Sequence, residues 1–483
     1  MGSPSADGVQ RLLANLVGYP MRKSVLLFAP TTLALALAAL AGCETDSPGG
    51  SPGFQFDSGV ADWTPPPTTT TDGGATPDAA PDAPVVPSVS VTVLGYAGPK
   101  AGVRIVFHDA SGAVLETKLT GNDGKATRTG ETPAMVSALI AMGSYERRIV
   151  TWTGVEDGDD LQLLAGEEED AMIGMYNVTL ANAPDVSIFT VANACDRNES
   201  YGTATELPLY RSCARAQNAV LATGRPFQGA PTAFAYKKGN PIVTDGGTGA
   251  ITLDDWKSPA AFTLNVTNRP AEGWFDASLL EIADGSPFEN HWSNWDDNGA
   301  VTYSIAPGFA DAYQASAMFE GQAGAERRIA KRVAAGSSNV TLDYATILPA
   351  LESADLDTTN PRRPVITWTP TAPLTATDGG VIHFTFYSQE VMRSWTLVVP
   401  GNVTTVTAPA MPTEAEDFLP HAEDAGVSSS FAPPRLMFVE SDAIPSYASF
   451  RKQQGLLLDR SNRLPVLPAD GTLRTTSWSD IPR

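Results

Sequence analysis

From Ser88 onward, apolar residues fall at every second position and turn residues interrupt them at short intervals, and this pattern limits the fold more than any other. Val89, Val91 and Val93 alternate with Ser88, Ser90 and Thr92. A period of two places successive side chains on opposite faces of a strand, one buried and one solvated. The same alternation returns at Val103, Ile105 and Phe107, at Tyr176, Val178 and Leu180, at Phe262, Leu264 and Val266, and at Val301, Tyr303 and Ile305. It continues in Val340, Leu342 and Tyr344, and then in Ile382, Phe384 and Phe386. Between these runs stand turn formers: Gly98-Pro99, Asp109-Ala110-Ser111-Gly112 and Asn122-Asp123-Gly124. With 42 Gly and 38 Pro among 483 residues, many short turns are favoured over long helices. Ala323–Ala334 alone has a helical composition, and Arg327-Arg328-Ile329-Ala330 within it fits a strand as well. The expectation is an all-β chain of tandem β-sandwiches.

Four folded segments are expected, at 88–165, 166–270, 271–360 and 361–483. In the first, an apolar strand is followed by Ala101-Gly102-Val103, Asp109-Ala110-Ser111-Gly112 and Asn122-Asp123-Gly124-Lys125. This series resembles a carboxypeptidase regulatory-like domain, a small transthyretin-like sandwich. The resemblance implies a structural or binding appendage without catalytic residues. The last segment opens on Pro364, Ile366 and Trp368 and resembles half of an immunoglobulin- or fibronectin-type sandwich. Leu436–Val439 offers one further strand, and the chain after Asn462 reads as irregular. Asn-Val-Thr recurs at 177, 265, 339 and 402, at unequal intervals that rule out a solenoid.

Upstream of Ser88 the chain changes character. Arg22 and Lys23 precede an apolar run from Ser24, which ends in Leu40-Ala41-Gly42-Cys43. Residues 21–43 resemble a bacterial lipoprotein signal peptide with its lipobox. The resemblance implies lipid on the Cys43 sulfur and a mature chain that starts there. A retained signal anchor is the alternative, although Pro30 interrupts the run. Residues 1–20, before the second methionine Met21, read as an over-extended start. Residues 44–87 hold Pro65-Pro66-Pro67, Thr68–Thr71 and two Pro-Asp-Ala elements, too little apolar surface to offset the cost of ordering. They read as a disordered tether, reaching ~130 Å if polyproline-like and roughly 35 Å as a coil. Glu44 after the cysteine favours the outer membrane.

The formal net charge of −22 argues against nucleic acid as a partner. Beyond Cys43, an even pair remains, Cys195 and Cys213, which in an exported chain reads as a disulfide, with free thiols as the alternative. The acidic run Glu156-Asp157-Gly158-Asp159-Asp160 sets Asp157, Asp159 and Asp160 forward as candidate cation ligands. A calcium loop needs a further oxygen where Leu161 stands, so a hairpin turn at an acidic edge is the competing reading. Four histidines, His108, His291, His383 and His421, show no metal spacing, and His108 and His383 fall on the polar phase of their strands, which reads as solvated. No Gly-x-Ser-x-Gly elbow or phosphate loop is present, and no cofactor is expected. Trp256, Trp274, Trp292 and Trp295 cluster, and Trp292 and Trp295 with Asp296 and Asp297 form a candidate ligand site; tryptophans plugging the core are the alternative.

The function expected is therefore that of a non-enzymatic cell-envelope lipoprotein, a binding or structural module. Its partners would be the membrane through its lipid and an envelope polysaccharide or protein. The second reading is a carbohydrate-directed protein acting through Trp292 and Trp295.

Overall fold

The computed structural model describes residues 86–479, apart from 96–97, 166–170, 245, 270–274, 291–292, 296–298, 322–323, 389–390, 421–432, 454–466 and 468–469. The signal-like segment, Cys43 and residues 44–85 of the tether lie outside these residues. Within them the chain is all-β, as the alternation predicts, with one α-helix, Tyr447–Gln453. Ala325–Ala334 is a strand, so the helical composition of its neighbourhood was overridden by pairing on both edges.

One sheet of twelve strands runs through most of the described chain. Its spatial order is Ser286–Asn290, Phe275–Ala283, Ala312–Glu320, Ala325–Ala334, Gly471–Ser479, Arg435–Ser441, Gly379–Ser388, Val391–Val399, Glu146–Thr153, Met135–Met142, Arg104–His108 and Val114–Leu119. At the usual strand spacing it is roughly 50 Å wide. The joints between distant segments are ordinary ladders. Met392–Val398 runs parallel to Glu146–Trp152, and Ala325–Arg332 runs antiparallel to Gly471–Trp478.

Three smaller sheets cover this long one. Ser88–Gly95 pairs with Gly98–Pro99, Lys125–Thr129 and Asp160–Leu164; Ala260–Thr267 lies between Ala300–Ile305 and Asn339–Asp343; and Val365–Pro370 lies between Leu351–Asp357 and Thr405–Thr407. Covers on both sides explain why the middle strands are not alternating. Val136–Ile140 and Trp395–Val399 are buried without a break. Ile105 and Val398 join the core beneath Val91 and Leu161, while Val106 and Leu397 join the one beneath Ile366 and Trp368. A strand buried on both faces reads as a continuous apolar run, whereas a cover strand keeps one solvated face. Two glycines permit close approach: Gly124 adopts φ +71 beside the Val93 carbonyl, and Gly380 lies flat under the Phe438 ring.

The C-terminal region corrects the sequence reading. Gly471–Ser479 is an interior strand of the long sheet, between Ala325–Ala334 and Arg435–Ser441. Its buried positions include Thr475 and Thr476 beside Leu473 and Trp478, so hydroxyls replaced the apolar signal that would have revealed it.

A separate sandwich holds Met172–Leu180, Ala204–Tyr210 and Gly247–Leu253 against Arg197–Ser200, Ile188–Ala192, Gln217–Arg225 and Ala233–Pro241. Its own core includes Tyr176, Val178, Phe189, Val191, Leu207 and Val220. Cys195 and Cys213 form a disulfide with their Cα atoms 5.2 Å apart, tying the turn after Ile188–Ala192 to the end of Ala204–Tyr210. This sandwich docks through Leu221 and Phe234 onto Ala283, Phe288 and Phe309. Around that apolar contact, the Tyr236 hydroxyl donates to the Pro307 carbonyl at 3.2 Å and the Lys238 ammonium to Asp311 at 2.5 Å.

Candidate functional site

Of the acidic run, Asp159 alone turns inward. Asp157 accepts the Ser88 N–H at 2.6 Å, and Asp160 accepts the Ser90 hydroxyl at 2.5 Å with Lys125 Nζ at 3.3 Å. Asp159 is buried; its Oδ2 accepts the Glu156 N–H at 2.9 Å and an Arg451 Nη2 proton at 2.7 Å. Arg451 is only 1% exposed, donates to the Gly154 carbonyl and lies over the Tyr447 ring at 4.8 Å. The one described helix therefore supplies a guanidinium to the loop in which the sequence placed a candidate cation. Among the described residues, no group of three or more His, Cys, Asp or Glu side chains is arranged to hold a metal ion.

Among the strongly shifted titratable groups, His108 and Glu281 are enclosed, while Asp378, pushed up to about 6 by burial, is half-buried. His108 was expected on a solvated face, yet it is fully buried, because the second face of the long sheet is also covered. Its Nε2 lies 3.0 Å from the Ser137 hydroxyl, which bonds the Thr151 hydroxyl at 2.8 Å; that oxygen accepts the Trp395 indole N–H at 3.0 Å. The chain of polar groups crosses four adjacent strands. Burial pushes the imidazole down to about 4, against the opposing pull of Asp109. His383 is half-buried, with Nδ1 3.1 Å from the Thr396 hydroxyl. His291 and His421 lie outside the described residues.

Glu281 is the second. It is 2% exposed, accepts from the Asn290 amide at 2.9 Å and the Ala306 N–H at 3.3 Å, and is pushed up to about 7 by burial. On the neighbouring strand the Tyr313 phenol is raised by its own burial and then by the Glu281 charge. Both His108 and Glu281 lie inside cores. An open groove of about 460 Å³ is lined by Met135, Thr153, Arg363, Val399, Val403 and Thr405 among others. Arg363 is engaged there, donating to the carbonyls of Ser111 and Ala408.

The aromatic candidates divide. Trp274, Trp292, Asp296 and Asp297 lie outside the described residues. Trp295 ends the short strand Ser293–Trp295. Trp256 is half-buried, its ring 5.5 Å from that of Phe189 and its indole N–H donating to the Ala181 carbonyl at 3.0 Å, which makes it a plug at the end of the disulfide-bonded sandwich.

That same end carries two aromatics the sequence reading did not single out. Tyr201 is 77% exposed and Phe227 67% exposed. Ser200 pairs with Phe189 and Phe189 with Gly224, so Tyr201 and the Arg225-Pro226-Phe227 segment leave the same end of one sheet. Beside them Arg225 Nη2 contacts Glu199 at 3.3 Å, while its Nη1 donates to the carbonyls of Pro226 and Phe227. The usable signal was an aromatic in a polar Gly/Pro loop, the one that drew notice to Trp292 and Trp295.

No family model and no curated protein matches the chain. Similar solved structures include the Bacillus anthracis TIE protein, at 10% identity and TM-score 0.14, covering 53% of this chain. The chain spans 49% of that protein's length. A Ca2+-stabilised, ice-binding adhesin of an Antarctic bacterium is similar at 10% identity and TM-score 0.13, over 74% of this chain and 95% of the adhesin. An adhesin candidate from Bacteroides ovatus is similar at 8% identity and TM-score 0.12, over 49% and 72%. Scores this low carry no argument about what the chain binds.

Proposed function

We infer that this chain is a non-enzymatic binding module of the bacterial cell envelope, held to the outer membrane by lipid on Cys43 and kept clear of it by the tether. The observation that carries the reading is the placement of its polar and aromatic groups. Two groups with shifted acidity, His108 and Glu281, are sealed inside cores, and the buried Asp159 of the acidic loop is paired with Arg451. Exposed aromatics stand instead on loops at the free end of a disulfide-tied sandwich. Rigid sheets that present loops are a common way to build recognition surfaces. In this reading, residues 88–165 are a carboxypeptidase regulatory-like module that braces the long sheet.

The test is a capture assay of the full chain against fractionated envelope polysaccharide, peptidoglycan and envelope protein, with product analysis of each fraction. Saturable capture without chemical change is the expected result. Cleavage of any fraction by the chain would overturn the reading in favour of a hydrolase.

A further inference from the structure

We propose that Tyr201 and Phe227 form a platform for a neutral polysaccharide strand. The proposal rests on the binding-module reading and names its site and ligand class. The rungs that carry the two loops, Ser200 and Gly224, stand on either side of Phe189. Two strand spacings separate them, about 10 Å, a span that suits alternate units of an extended sugar chain. The loops are held in place before any ligand arrives. Arg225 bonds the carbonyls of Pro226 and Phe227, and the Ser200 hydroxyl both accepts the Gly202 N–H at 3.0 Å and donates to the Gly202 carbonyl at 3.2 Å. Held loops lose less freedom on binding, which favours affinity.

The chemistry of the site selects the ligand. Two exposed aromatic side chains suit the apolar faces of pyranose units, and the half-exposed Glu199 carboxylate, two residues before Tyr201, offers an acceptor to sugar hydroxyls. A protein partner would favour a contiguous, desolvated apolar pocket, whereas these two aromatics stand exposed on separate loops. A polyanion would meet a chain of net charge −22.

The experiment is retention of the full chain, in detergent, on microcrystalline cellulose, on chitin and on starch. Retention on at least one polymer is expected. Tyr201→Ala and Phe227→Ala should each weaken it about tenfold, as the loss of one stacked ring predicts. Tyr201→Trp should preserve it, and the melting temperature should not move in any variant, because both side chains are exposed. Retention that survives the double alanine variant overturns the platform and leaves the binding-module reading standing. No retention on any of the three polymers also overturns the platform, and the capture assay with envelope protein then decides the wider reading separately.

Discussion

Glu281 and His108 respond to pH in opposite senses, and each can be followed by a single substitution. Glu281 has a folded value raised to about 7 from an ordinary value near 4.5. Between those values the folded chain binds more protons than the unfolded one, so this group's contribution is complete below about pH 4.5 and is lost as pH rises through 7. Glu281→Gln keeps the bonding pattern toward Ala306 without the charge. It should raise stability at pH 8, by on the order of 3 kcal/mol at most, and change it little at pH 4.5. Melting temperatures of both forms across that range check it; a shift of equal size at both pH values would contradict the assignment. His108, with its folded value lowered to about 4, has the reverse slope. Its contribution is intact above the ordinary histidine value near 6.5 and is lost as pH falls toward 4. Neither effect could be read from the sequence, because a polar phase in a strand means solvent only when that face is uncovered.

Among the elements, the helix Tyr447–Gln453 is the clearest case of a contact that sequence pattern does not disclose. It is short, and its importance lies in Arg451, nearly 300 residues from its partner Asp159. Removing one member of a buried pair leaves the other without compensation, so Arg451→Ala should cost about 3–5 kcal/mol. Asp159→Asn combined with Arg451→Met should recover much of it. Chemical denaturation of the three forms is the measurement, and a single variant as stable as the parent would show the pair to be dispensable. The cover strands were legible, since Lys125–Thr129 and Ala260–Thr267 keep one wet face and Ser88–Gly95 keeps its valines on the buried one. The long sheet was legible only in pieces. Strands such as Met135–Met142 lose their alternation when both faces are covered, and Gly471–Ser479 buries threonines where apolar residues would have marked it. The aromatic end at Tyr201 and Phe227 escaped notice because the two loops are brought to one end of a sheet only through the ladders of Ile188–Ala192.

At the scale of the whole molecule, the long sheet joins segments that composition alone would have left as beads on a string. Parallel pairing of Val391–Val399 with Glu146–Thr153 ties the first folded segment to the last, and the disulfide-bonded sandwich presents its loops from that framework. The functional account adds that this body is cargo on a lipid, with a Pro- and Thr-rich spacer from residue 44 to 87 that lets it stand off the bilayer. Stable anchoring requires more than one acyl chain, which a diacylated and N-acylated Cys43 would provide. The direct measurement is metabolic labelling of the full chain with a fatty-acid analogue in a bacterial host, beside the Cys43→Ser variant. The account predicts label on the parent chain in the membrane fraction, and an unlabelled, unprocessed serine variant. Label retained by the serine variant, or absent from the parent, would contradict it.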